Sequence, residues 1–102
     1  MKGKVPSNKE DCFIQLDALL GSKDKQLMKE NGCIADYHFT IGMWIRSNWL
    51  SPKNGENYKV LSKCFADRDE RLKFYLENSI RIHPDDLSME IIRQYIEYLK
   101  KK

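Results

Sequence analysis

The chain is poor in the residues that carry most site chemistry: among 102 positions there are two histidines, three cysteines and five glycines. Cys12, Cys33 and Cys64 are odd in number and far apart, which fits neither a disulfide framework nor a Cys-x-x-Cys metal pair, so reduced thiols are expected. The scattered glycines form no phosphate-cradling loop, and Ser47, Ser51, Ser62, Ser79 and Ser88 lack a Gly-x-Ser-x-Gly frame. No run reaches the ~18 apolar residues of a membrane span, and Met1 to Lys9 lacks the apolar segment of a secretory signal. A cytoplasmic location is the expectation. The sequence assigns no catalytic residue, no metal and no other cofactor.

One-signed charge is also missing. The formal net charge of +3 equals the contribution of Lys100, Lys101 and Lys102, so the rest of the chain is balanced. Its signs alternate closely, as in Lys23-Asp24-Lys25 and Asp67-Arg68-Asp69-Glu70-Arg71. A nucleic-acid binder normally gathers cations on one face, whereas interleaved charges describe a solvated helix face. What is present is 41% hydrophobic and 32% charged residues with a mean hydropathy of −0.65. That balance supports one core, formed as the chain buries close to two thirds of its extended surface at this size, and leaves no room for a second.

The apolar pattern is helical throughout. Residues 1–7 read as a flexible arm and 8–102 as one domain. Ser7-Asn-Lys-Glu10 has capping-box spacing, and Cys12, Phe13, Leu16, Leu19 and Leu20 recur at steps of three and four over about 8–20. Gly21 is positioned to end that helix in the left-handed conformation. A short helix over about 23–30, with Leu27 and Met28 its only large apolar groups, reads as peripheral. Ile34, Tyr37, Ile41, Trp44, Ile45 and Trp49 mark the most apolar segment, 34–49, as a central helix. Phe39 and Met43 on a second stripe imply cover on more than one side. A turn follows at Pro52 and Asn54-Gly55, then helices over about 57–66 and 69–79. Pro84 closes the latter region, and Asp85, Asp86 or Ser88 can cap a last helix that faces inward through Leu87, Ile91, Ile92, Tyr95 and Leu99. The fold class is therefore all-α: five or six short helices around 34–49.

Two strings carry a likeness to a known family. Tyr37-His-Phe-Thr-Ile-Gly-Met-Trp-Ile-Arg-Ser-Asn-Trp49 and His83-Pro-Asp-Asp-Leu-Ser88, the latter leading into an Ile/Tyr-rich helix, resemble DUF6794, a family of small bacterial domains of unknown function. The resemblance covers about 8–99 and departs from the pattern between Leu50 and Asp69, where this chain is longer. It implies a helical fold and a bacterial source, and it brings no catalytic residues.

Three constellations remain. Arg46 can bridge to Asp85 or Asp86 and tie the central helix to the last one, since a guanidinium fork matches a carboxylate, with Asn48 and His83 extending the polar network. The sharper alternative gathers His38, His83, Asp36, Asp85 and Asp86 into a metal-assisted or hydrolytic site, but the two imidazoles lack the helical spacing of metal ligands. Glu56, Tyr58, Asp67, Asp69 and Glu70 form the densest acidic and aromatic patch, suited to steering a cationic protein partner. The two tryptophans, five residues apart, point to different sides of a helix, so Trp49 is either an exposed anchor or a core-edge group. A small domain with no reactive motif suggests recognition without catalysis. The leading form is a bacterial immunity protein that neutralises a cognate toxin, for example a nuclease; a regulatory adaptor is the further alternative. The expected partner is a protein, with neither membrane nor nucleic acid involved.

Overall fold

In the computed structural model, residues 5–31, 40–51 and 55–101 are described. Six α-helices are found among them: α1 Lys9–Leu19, α2 Ser22–Asn31, α3 Ile41–Asn48, α4 Gly55–Phe65, α5 Glu70–Glu77 and α6 Pro84–Lys100. A 3-10 turn, Ala66–Arg68, separates α4 from α5. The described residues contain no strand, and the all-α class expected from the periodicity is the observed one.

The helix ends show how local chemistry and tertiary packing share the work. Asn8, one residue beyond the expected Ser7, is the N-cap of α1: its side-chain oxygen accepts from the Asp11 N–H at 2.7 Å. The same helix stops because Leu20 turns extended, with φ −95° and ψ 140°, so Gly21 is not used as a left-handed cap. Asp69 is likewise extended and accepts from the Leu72 N–H at 3.0 Å, which starts α5 afresh and breaks what could have been one long helix. At α6 the proline decides. Pro84 occupies the first turn, the residue before it must be extended, and His83 therefore becomes the N-cap in place of Asp85, Asp86 or Ser88.

The core is assembled on α6. Leu87, Ile91, Ile92, Tyr95, Ile96 and Leu99 are buried, as are Ser88, Glu90 and Gln94, so the middle of this helix is enclosed nearly all round. Helices α2, α3 and α4 all pack against it, while α1 packs against α4. The segment expected at the centre thus enters the fold as α3, one of the helices gathered on α6; its 34–39 part lies outside the described residues. Within α3, Ile41 and Ile45 are buried and Met43 is exposed, so the second stripe is not covered there. Trp49 is buried, and its ring meets the half-buried Trp44 edge-on with centroids 5.4 Å apart. Trp49 is the C-cap of α3, its N–H still donating to the Ile45 carbonyl at 2.8 Å.

Two other expectations change. Helix α2 is not peripheral, since Met28 is fully buried against the core while Leu27 stays exposed. The packed domain also begins before residue 8: Val5 packs on the core and Pro6 is buried.

Polar ties close the bundle. The Tyr95 hydroxyl donates to Asp17 Oδ1 at 2.7 Å, joining α6 to α1 beside the stacked rings of Phe13 and Tyr98. Burial first, and then this bond to a carboxylate, push the Tyr95 phenol well above its ordinary range. The buried Gln94 amide donates to Phe65 O at 3.1 Å and to Glu90 Oε2 at 2.7 Å, while Glu90 also pairs with Arg93. The hydrogen bonding that Arg93 donates to Glu90 is the main reason its guanidinium is held more firmly protonated than usual. Every buried side-chain polar atom among the described residues is thereby partnered.

Candidate functional site

The end of α6 nearest α3 carries the first polar constellation. Arg46 Nε lies 3.3 Å from Asp85 Oδ1, and Arg46 Nη1 donates to Ser88 Oγ at 3.0 Å. Ser88 in turn donates to the Asp85 carbonyl at 3.0 Å. Asp86 does not share this cluster; it faces Arg71, at 3.2 Å. Successive helical residues point about 100° apart, so one arginine cannot reach both acids. The Asn48 amide donates to the Trp44 carbonyl at 2.9 Å. His83 Nδ1 accepts from the Asp85 N–H at 3.1 Å, which makes that imidazole nitrogen an acceptor engaged in capping. The other half of the imagined acid–base site, His38 and Asp36, lies outside the described residues. Among the described residues no group of three or more His, Cys, Asp and Glu side chains is placed to hold a metal.

The acidic and aromatic patch comes apart in three dimensions. Tyr58 is buried on the inner side of α4 and its hydroxyl donates to the Ile82 carbonyl, so it offers no contact area to a partner. Asp69 is occupied as the cap of α5. Asp67 accepts from Lys9 Nζ at 2.6 Å and from the Gln94 amide at 3.4 Å. Burial would raise the Asp67 carboxyl, but Lys9, Gln94 and Arg68 together hold it below the usual carboxylate range. Glu56 is exposed; so is Glu70, whose carboxylate lies 3.7 Å from Lys73. The reason for the dispersal is the 3-10 turn and the Asp69 kink, which redirect the chain between residues adjacent in sequence.

A different surface feature emerges between α4 and the segment that leaves α5. Helix α5 ends in a Schellman turn: the Ile80 N–H donates to Tyr75 O at 2.7 Å and the Ser79 N–H to Leu76 O at 3.2 Å. This places Ser79 in the left-handed region, φ 58°, where glycine is usual. The chain then runs back alongside α4, leaving a half-open groove of about 670 Å³. Lys59 and Lys63 stand on the α4 wall, one helical turn apart, and Arg81 stands on the other. Leu76 and Ile80 supply apolar surface, while Tyr58 and Ile82, both buried, and Ser62 and Ser79 complete the lining. The Arg81 guanidinium sits 4.5 Å from the centre of the Tyr58 ring, a cation–π geometry that orients it. Burial raises the Tyr58 phenol, and the neighbouring Arg81 partly offsets that.

No acidic residue is among the groove's described lining, and among the described residues none of the three cations has a carboxylate within 4.0 Å. The fold has therefore separated charges that the sequence interleaves. Of the groove, the Lys59–Lys63 spacing was visible along the chain, whereas Arg81 and Ile80 join those lysines only through the turn after α5.

Comparison with known proteins adds one relationship. The model of a domain of unknown function, DUF6794, matches residues 5–99. The chain belongs to this family. The match takes in all of α1 to α5, and α6 to within a residue of its end, so the groove lies inside the family domain. No curated protein and no solved structure matches the chain.

Proposed function

We propose that this DUF6794 domain acts by recognising another protein, without chemistry of its own. The observation that carries the reading is the groove between α4 and residues 76–82. Three cations stand there over an apolar floor, in a trough of about 670 Å³ open along one side. Such a surface is poised for occupation by a segment of a larger partner, which gains area from Leu76 and Ile80 and orientation from the charges. The specific form we favour is a bacterial immunity protein, working in the cytoplasm, that neutralises a cognate toxin by covering a surface the toxin needs. In this reading the recognition surface is the groove, since Asp67 and Asp69 are committed to an ion pair and a cap and Tyr58 is buried.

The test is co-expression with the product of the adjacent gene, read by growth and by size-exclusion chromatography of the two proteins. A one-to-one complex that restores growth is the expected result. Toxicity unaffected by the domain, together with separate elution of the two chains, overturns the immunity reading.

A further inference from the structure

We infer that the groove accepts an extended, acidic segment of the partner protein, with carboxylates at alternate positions and apolar side chains between them. The inference rests on the recognition reading above and adds the chemistry of what is recognised. Its basis is the unlike character of the two walls. On the α4 wall, Lys59 and Lys63 are exposed and four residues apart, a rise of about 6 Å along the helix. In an extended chain, side chains two residues apart share a face and are separated by about 6.6–6.8 Å. Two carboxylates of an acid–x–acid run thus match two lysines on consecutive turns.

The intervening side chain of such a run points to the opposite wall, where Leu76 and the half-exposed Ile80 lie. Arg81, held against the Tyr58 ring, is placed for a further carboxylate. The apolar floor strengthens these charge contacts by excluding water. It also distinguishes a peptide from a small inorganic anion, which has nothing to bury against Ile80. A nucleic acid is disfavoured by the aromatic inventory, because the one ring among the groove's described lining is buried and already covered by Arg81, and offers no face on which a base can stack. Like charges at i and i+4 disfavour a helix slightly when no anion is bound, and an acidic occupant removes that repulsion.

The probe is a short fluorescein-labelled peptide in which a Glu-Leu-Glu-Leu-Glu run is flanked by Gly-Ser, followed by fluorescence anisotropy with the full chain. Its controls are the Gln-for-Glu peptide, inorganic phosphate and a single-stranded oligothymidylate. We expect binding that weakens with added salt, little binding of the Gln peptide, and about a tenfold loss of affinity in K59Q/K63Q. Both lysines are exposed, so the double variant melts no lower than wild type, and methyl NMR shifts at Leu76 and Ile80 report occupancy of the groove independently. Equal binding of the Gln peptide, no binding of the Glu peptide, or lysine-dependent binding of phosphate or oligonucleotide instead each overturns the inference. A cognate protein that binds K59Q/K63Q as tightly as wild type also overturns it, while leaving protein recognition itself standing.

Discussion

Replacing Arg46 with alanine probes the tie between α3 and α6. The side chain is largely shielded, 18% exposed, whereas its partner Asp85 is half exposed. Two contributions from described residues are lost. The hydrogen bond from Nη1 to the buried Ser88 hydroxyl is charge-assisted and of a kind worth about 1.5–3 kcal/mol. The ion pair with Asp85 is open to solvent on the carboxylate side and adds only about 0.2–1 kcal/mol. Ser88 is not abandoned, because it still donates to the Asp85 carbonyl, and this places the total in the lower part of the summed range. We therefore expect R46A to destabilise the fold by about 2–3 kcal/mol, which for a domain of this size lowers the melting temperature by roughly 8–24 °C. Urea unfolding followed by tryptophan fluorescence measures it directly, since Trp44 and Trp49 flank the site. In a double-mutant cycle, R46A and D85A should couple by no more than about 1 kcal/mol, because most of the effect runs through Ser88. An unaltered midpoint in R46A, or a coupling that accounts for the whole loss, would refute this division of labour.

Met28→Ala should cost about 2–5 kcal/mol, because a fully buried side chain leaves a cavity between α2 and α6; a calorimetric melting temperature equal to wild type would show α2 to be undocked. Ser79→Gly should stabilise by about 0.5–1 kcal/mol, the left-handed backbone at φ 58° costing a serine more than the extra unfolded-state freedom costs glycine. A loss of stability in chemical denaturation would contradict the strain assigned to that turn. Acid titration concerns Asp67, whose folded carboxyl ionises below its unfolded value near 3.9. The stability it contributes is present above that value and is lost as pH falls through the folded one. Lys9→Met should therefore lower the neutral plateau slightly and flatten the fall in stability below about pH 4, the two profiles converging in acid, a contribution kept small by the exposure of the pair.

The candidate site divides along the same line as the fold. Lys59 and Lys63 could be recognised as neighbours on one helix face from their spacing alone. Arg81, Ile80 and Ser79 could not, because their place opposite those lysines depends on a left-handed turn at a serine, which no local preference favours. Conversely, Asp67, Asp69 and Glu70 looked like one patch because they are adjacent in sequence. A cap, a kink and two distant partners, Lys9 and Gln94, assign them to separate tasks. Tyr58 illustrates the same limit: an amphipathic residue reads equally well as surface or core until a carbonyl such as that of Ile82 comes within reach of its hydroxyl.

Helical class, the inward face of α6, the ends imposed by Pro84 and the balance of charge followed from the residues themselves. These depend on contacts within a few positions along the chain, where periodicity, proline geometry and net charge act without knowledge of the rest of the fold. Which helix stands at the middle, which of several capping residues is used, whether Met28 is hidden, and where cations gather without acids were decided by packing. Each of these turns on contacts between residues tens of positions apart, and only the closed bundle determines which competing local arrangement leaves no buried group unsatisfied.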